Sequence, residues 1–344
     1  MRAALVVPGE PERAGVAEVP DPEAGAGELL VDGLLVGVCG TDVEIVRDGF
    51  GTPPDGRDEL VLFHESLGRV VSAPPDSGFA EGDLVVGVVR RPDPEPCRAC
   101  AAGDWDYCHN GRYTERGIEG LDGYGSTRWT VPAAFAIKLD PALGDAGVLT
   151  EPASVVAKAW EQAELIGRRA HLEMRSALIT GAGPIGLLAA LLAVQRGMDV
   201  HVLDRATSGA KPDLVRALGA TYHSSPDDLD EDVDVAIECT GVPELVLDVA
   251  GRASVTVLAG ITGDPGRVEF ESGALLDSIV LGNRAVVGSV NASLRHYEAA
   301  AAALAAADPR WLNGLITRRV PLSRFTEAFD RSSDDVKVVV DLTA

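Results

Sequence analysis

Long apolar runs and basic charge are what this 344-residue chain lacks. No stretch approaches the roughly 20 apolar residues that a membrane-spanning helix needs, and no basic segment followed by an apolar run begins the chain. Neither a spanning protein nor a secretory leader is therefore expected, and cytoplasmic residence is. Lys and Arg total 30 against 53 Asp and Glu, a formal net charge of −23. A surface of that sign repels nucleic acid and anionic membranes, which excludes both as main partners. Lysine is scarce, confined to Lys138, Lys158, Lys211 and Lys337. With the abundance of Ala, Gly, Val and Asp, this fits either a GC-rich genome or adaptation to salt. The cysteines, Cys39, Cys97, Cys100, Cys108 and Cys239, are odd in number and partly clustered, which suits metal better than disulfides. Internal repeats are absent as well. What is present is 46% hydrophobic and 24% charged residues, enough for two domains with cores and too mixed for disorder, so a soluble enzyme is the default class.

The most informative stretch is Gly181-Ala182-Gly183-Pro184-Ile185-Gly186, which follows the apolar run 176–180 and opens a long apolar helical pattern. Gly181 permits a tight turn out of a strand, Gly183 lets a pyrophosphate approach the backbone, and Gly186 lets the helix pack close to the sheet. The unpaired N–H groups and dipole of the helix N-terminus favour that anion. A second strand, 200–203, ends in Asp204, about 20 residues on, where a carboxylate can accept hydrogen bonds from an adenosine ribose. Asp204 argues for NAD because it repels a 2′-phosphate. Arg205, directly after it, keeps NADP as the alternative if Asp204 turns aside.

Residues 1 to about 150 read as short β-branched strands separated by Gly, Pro and Asp clusters, among them 3–7, 28–38, 68–71 and 84–89. They predict a β-rich domain of barrel type. Residues 151–165 have helical spacing. From Ser176 strands and helices alternate, with 233–238 and 255–260 as further strands, the latter ending at Gly260. This pattern predicts a parallel sheet covered on both faces. After an alanine-rich helix at 297–307, the strand-like tail 335–342 is expected to return to the first domain. The expected domains are 1–152, completed by 310–344, and 153–309.

Cys39-Gly40-Thr41-Asp42 follows a strand, and Leu62-Phe63-His64-Glu65 precedes one. A thiolate, an imidazole and carboxylates at strand ends are ligand types that zinc prefers when one position stays open for substrate. With Gly82-Asp83, Arg90-Arg91-Pro92, 113–118, Glu151-Pro152, the Gly181 loop and Gly288-Ser289-Val290-Asn291, these motifs follow one order over essentially the whole chain. In that order the sequence resembles the zinc-dependent medium-chain dehydrogenase/reductase superfamily, and within it the glucose dehydrogenase branch.

The resemblance implies an α/β protein with a GroES-like β-rich catalytic domain, a Rossmann domain, a cleft between them, and a dimer or tetramer formed through Rossmann edge strands. It implies a catalytic zinc on Cys39 and His64, with Glu65 and Glu151 as further or exchangeable ligands. Thr41 would hydrogen-bond the reacting hydroxyl and begin its proton path. Glu115, Glu151 and Asn291, and more weakly His296, would contact sugar hydroxyls. Gly181, Gly183, Pro184, Ile185, Gly186, Asp204, Arg205, Gly260, Ser289 and Asn291 would hold the cofactor. Relatives often carry a structural zinc on four cysteines. Cys97, Cys100 and Cys108 match the last three, and Asp93, Glu95 or Asp106 would supply a carboxylate as the fourth, Asp93 being preferred. Phe63 departs from the family, which has Gly before the His-Glu pair: its ring either narrows the substrate pocket or packs away from it. Cys239, at a strand end, is read as small core packing near the cofactor.

The expected reaction is reversible hydride transfer between NAD(P) and a sugar or polyol, with glucose C1 favoured. Carboxylates suit a hydroxyl-rich substrate, whereas a simple alcohol favours an apolar pocket. The alternatives are a related zinc dehydrogenase acting on another cyclic polyol, an amino sugar or threonine, and a dinucleotide-binding protein without catalysis.

Overall fold

Along Glu28–Gly37 buried residues alternate with half-buried ones, the period of a strand with one face in a core. This strand is the centre of the first of two units in the computed structural model, which describes residues 1–229, 232–263, 267–270, 272–330 and 332–344. Unit one is Met1–Glu151 with Ala292–Ala344, and unit two is Pro152–Asn291. In unit one Glu28–Gly37 pairs antiparallel with Glu65–Ser72, with Arg128–Pro132 and with the C-terminal strand Lys337–Asp341. The sheet runs 136–138, 84–87, 65–72, 28–37, 337–341, 316–321, and only its last pair is parallel. Two three-stranded sheets complete the β-rich fold. Its core gathers Val31, Val36, Leu62, Phe63, Tyr124, Trp129, Phe325 and Phe329.

The return to the first unit comes at Ala292, earlier than the expected 310. The helix Leu294–Ala305 is the reason. Its Tyr297 hydroxyl accepts from Val89 N–H at 3.2 Å, and Arg295 is paired with Asp104.

Unit two is a six-stranded parallel sheet with β1 (Ser176–Thr180), β2 (Asp199–Leu203), β3 (Thr221–His223), β4 (Val233–Glu238), β5 (Ala253–Leu258) and β6 (Ala285–Gly288). Their order across the sheet is β3-β2-β1-β4-β5-β6, so the chain reverses direction beside β1, where doubly wound folds bind dinucleotides. The helix Pro184–Gln195 after β1 is buried from Gly186 to Ala193, as its uniformly apolar sequence requires. Among the described residues no helix is long and apolar enough to cross a membrane.

Candidate metal centre and dinucleotide turn

Cys39 leaves the strand Glu28–Gly37 and caps the helix Gly40–Asp48. Asp42, fully buried, holds two neighbours at once. Its Oδ2 accepts from Cys39 N–H at 2.7 Å, and its Oδ1 lies 3.4 Å from His64 Nδ1. An imidazole held at Nδ1 by a carboxylate presents Nε2 to a metal. Thr41 Oγ1 is 3.8 Å from Cys39 Sγ.

His64 reaches this point because the backbone turns at Phe63, whose φ is +72° in the left-handed region. The bend is clamped by neighbouring backbone. Tyr124 N–H donates to the Phe63 carbonyl at 2.7 Å and Gly125 N–H to that of Leu62 at 2.9 Å. Gly123 must lack a side chain, since a Cβ there would stand 2.3 Å from the Phe63 oxygen. The Phe63 ring is wholly buried and packs edge-on to Phe325 (centroids 5.9 Å) and beside Phe329 (6.3 Å). Of the two directions open to this side chain it takes the one away from the ligands, into the core.

Glu65 sits opposite Gly37 in the sheet, where a Cβ would come within 2.0 Å of Glu65 Oε2, so the glycine makes room for the carboxylate. Glu65 is ion-paired with Lys337, both 2% exposed, and Lys337 Nζ also donates to the Val38 carbonyl at 3.0 Å. Glu151, half-buried in the first turn of the helix Thr150–Ala170, has its carboxyl pushed up to about 7. Burial is the main cause; Glu65 and Asp42 add to it, against the cations His64 and Lys337. Burial pulls the His64 imidazole down, but Asp42 and Cys39 outweigh it and hold its pKa well above the ordinary value. A metal entering here therefore displaces protons.

These residues fit zinc. Ligand atoms of Cys39, His64 and Glu65 all lie within 4.8 Å of one another. The buried atoms Asp42 Oδ1, His64 Nδ1 and Glu65 Oε2 make ionic contacts without an aligned hydrogen bond. One thiolate, one imidazole and nearby carboxylates form a donor set for an open zinc position.

The other cysteines also converge, with the sulfurs of Cys97, Cys100 and Cys108 within 4.8 Å of one another. Backbone N–H groups of Cys100 and His109 lower the Cys97 thiol to about 6, while burial raises Cys100 to about 11. Among the described residues no carboxylate or imidazole joins the three at that span. The Asp93 carboxylate, 3% exposed as a residue, instead accepts from Glu95 N–H (2.8 Å), Asn110 Nδ2 (2.7 Å) and Arg112 Nε (3.2 Å), and Glu95 pairs with Arg112. Asp93 would have to release Arg112 and Asn110 to ligate a metal.

Of the remaining sugar-contact candidates in this unit, Glu115 is buried against Arg90, with Nε to Oε1 at 2.9 Å. His296, 3% exposed, accepts from Ser293 N–H at Nδ1 (3.0 Å), so that nitrogen serves as a helix cap.

In unit two Gly181 has φ +85°, and a Cβ on Gly186 would stand 1.7 Å from the Gly181 oxygen, which fixes glycine at both ends of the turn. A Cβ on Gly183 would meet nothing within 4 Å. Gly183 N-caps the helix that begins Pro184-Ile185, and among the described residues no side chain caps it, so the helix N-terminus faces open space as a pyrophosphate requires. Gly260 packs its Cα face against Gly241 N, where a Cβ would come to 2.3 Å. Among the described residues the buried Ser289 hydroxyl finds no hydrogen-bond partner, a group that a bound cofactor can satisfy. Asn291 takes φ +61°, and Lys158 Nζ holds the preceding Val290 carbonyl at 2.8 Å.

Asp204 is at the end of β2, but its carboxylate is occupied: Oδ2 accepts from Ala182 N–H (2.8 Å) and Oδ1 from Ala206 N–H (2.9 Å), with Lys211 Nζ 3.9 Å away. Arg205 beside it is exposed. Burial and the Glu238 charge raise the Cys239 thiol, so it stays protonated. Four residues escaped the sequence reading: Asp42, Lys337, Arg90 as a partner of Glu115, and Glu238. The wholly buried Glu238 accepts from Thr180 Oγ1 (3.1 Å), Thr240 N–H (2.7 Å) and Gly241 N–H (3.1 Å), which pins the turn after β4. A carboxylate ending an apolar strand was its only signal.

A GroES-like unit with a zinc-type donor set and a Rossmann unit with a glycine turn define the zinc-dependent medium-chain dehydrogenases as a class. Similarity to known proteins narrows the class. Residues 25–141 match the alcohol dehydrogenase GroES-like domain, and residues 144–342 match the glucose dehydrogenase C-terminus family. Glucose 1-dehydrogenase of Thermoproteus tenax is 42% identical over 351 residues, 99% of each chain. The solved structure of Haloferax mediterranei glucose dehydrogenase in complex with NADP, Zn and gluconolactone superposes with a TM-score of 0.89 at 35% identity, covering 99% of both chains. A putative zinc-binding dehydrogenase from Sinorhizobium meliloti bound to NADP gives 0.82 at 26% identity and the same coverage. The chain belongs to the glucose dehydrogenase family of NAD(P)-dependent zinc oxidoreductases.

Proposed function

We propose that this chain oxidises glucose at C1 to the lactone, passing the hydride to a nicotinamide cofactor and releasing one proton. The observation that carries the reading is the convergence of half-buried Cys39 with buried His64 and Glu65, backed by Asp42 and Lys337. Cys39 and His64 would hold zinc, with Glu65 and Glu151 as carboxylate ligands, and the chemistry zinc supplies in such a site is Lewis-acid polarisation of an alcohol. Thr41 accepts the hydroxyl proton's hydrogen bond and begins its path to solvent. Glu115 and Glu151 accept hydrogen bonds from the other sugar hydroxyls, each carboxylate having several acceptor positions. Asn291 is a further contact. His296 is the weaker candidate, because its Nδ1 is already engaged by Ser293 N–H.

NADP is favoured over NAD. Both Asp204 oxygens already accept backbone N–H groups, and the exposed Arg205 offers a guanidinium to a 2′-phosphate. The chain assembles with further copies through the edge strand β6, where Val286 and the nearby Val280 and Leu281 are exposed. Light scattering on the eluted protein tests that assembly.

Activity is tested on zinc-loaded protein by following reduced cofactor in the near ultraviolet with glucose, other aldoses, inositols, threonine and simple alcohols, beside Cys39→Ala. Glucose turnover lost in the variant supports the reading. Turnover confined to another polyol or threonine moves the substrate, and cofactor binding without turnover of any alcohol refutes catalysis.

A further inference from the structure

Arg90 is 7% exposed in the first unit. It is the register partner of Glu115 across the antiparallel strands Arg90–Arg91 and Thr114–Arg116. Its Nε donates to Glu115 Oε1 at 2.9 Å and its Nη1 to the Asp106 carbonyl at 3.3 Å. The guanidinium also lies over the Tyr113 ring, with Cζ 3.7 Å from the centroid. A planar fork held at an edge, an end and a face has little freedom left. Asp106 belongs to the single turn Trp105–Tyr107 that runs directly into Cys108, so the same fork touches the cysteine lobe.

We propose that Arg90 is a positioning residue that presets the Glu115 carboxylate for sugar hydroxyls and transmits the support of the cysteine lobe to it through the Asp106 carbonyl. The proposal rests on the reading of Glu115 as a sugar contact. A carboxylate ordered before the ligand arrives spares binding the cost of ordering it. Lysine supplies the charge but not a fork that reaches both Glu115 and Asp106 in fixed geometry, and methionine supplies only volume.

The test uses zinc-loaded full-length protein, with steady-state kinetics and calorimetric glucose binding in the absence of cofactor. Arg90→Met is expected to raise the glucose KM and Kd about tenfold, equivalent to about 1.4 kcal/mol, with kcat and the cofactor KM within about twofold of the parent. Arg90→Lys recovers part of this and stays at least about threefold weaker than the parent, a smaller loss because the charge is kept. Cys108→Ser weakens glucose binding in the parent and adds little in the Arg90→Met background, since both act through one contact. Zinc counted with a chromophoric chelator establishes that the catalytic ion is retained. A folded Arg90→Met protein with parental glucose KM and Kd overturns the proposal. If that variant does not fold, parental values in Arg90→Lys do so, and full additivity with Cys108→Ser overturns the link to the lobe. A parent that oxidises no sugar, or a Glu115→Gln variant with unchanged glucose binding, refutes the underlying reading instead.

Discussion

Replacing Phe63 separates backbone strain from burial at the residue before His64, the proposed imidazole ligand. Its φ of +72° is a conformation that costs a residue with a Cβ about 1–2 kcal/mol, and its ring is wholly buried against Phe325 and Phe329. Phe63→Ala forfeits the ring, about 3–5 kcal/mol, and keeps the strain. Phe63→Gly forfeits the same ring but regains about 1–2 kcal/mol of strain, offset by about 0.5–1 kcal/mol of extra chain entropy. Both variants are therefore destabilised by several kcal/mol, and glycine is the more stable of the two by about 0.5–1 kcal/mol, the reverse of the usual order inside a strand or helix. Urea titration of the parent and both variants, followed by far-ultraviolet circular dichroism and intrinsic fluorescence, measures this. Glucose specificity relative to xylose and galactose stays within about twofold in the folded variants, because the ring packs in the core and does not border the ligands. The reasoning is refuted if the variants are as stable as the parent, or if Phe63→Gly shifts that specificity by an order of magnitude. The first result would take the ring out of the core, and the second would put it on the sugar.

Lys337→Met removes the countercharge of a buried carboxylate, so stability falls by about 3–5 kcal/mol, which thermal unfolding of the parent and the variant reports. In the metal-free protein the Glu151 carboxyl is raised to about 7 from an ordinary 4.5, so its folded form binds the proton more tightly than the unfolded chain does. Its stabilisation is complete below about pH 4.5 and is lost as pH rises through 7, with His64 acting in the same sense. Glu151→Gln flattens that fall in the melting temperature of chelator-treated protein. Arg205→Ser raises the NADP KM about tenfold and leaves the NAD KM nearly unchanged, measured with glucose saturating, because it removes one charged contact to the 2′-phosphate.

What could be read from the chain is what spacing along it encodes. The turn from Gly181 to Gly186, the strand Val233–Glu238 and the parallel sheet followed from local order, because each glycine's role depends on neighbours a few residues away. Glu10–Glu18 escaped notice because it is an edge strand, mostly exposed and without the alternation that burial of one face imposes. The residue types of the candidate metal site are legible at strand ends, while the side chains that support them are not. Lys337 meets Glu65 only because the C-terminal strand pairs with Glu28–Gly37 beside Glu65–Ser72, a consequence of topology that no local pattern announces.

Asp204 and Phe63 show a second limit, which is direction. The sequence places an acid at the end of β2 and an aromatic ring before His64, and both positions are as expected. Whether a carboxylate faces a ribose or its own backbone depends on where the N–H groups of Ala182 and Ala206 point. Whether a benzyl group faces a ligand or a core depends on the sign of one φ angle. Neither is a property of residue type. At both positions direction bears on the proposed specificity: Asp204, held by backbone N–H groups, would leave Arg205 to meet a 2′-phosphate, and Phe63, turned into the core, would leave the metal side as it is with glycine. Substitution of Arg205 and of Phe63 should therefore have opposite signatures: altered cofactor choice without loss of stability at Arg205, and loss of stability without altered sugar choice at Phe63.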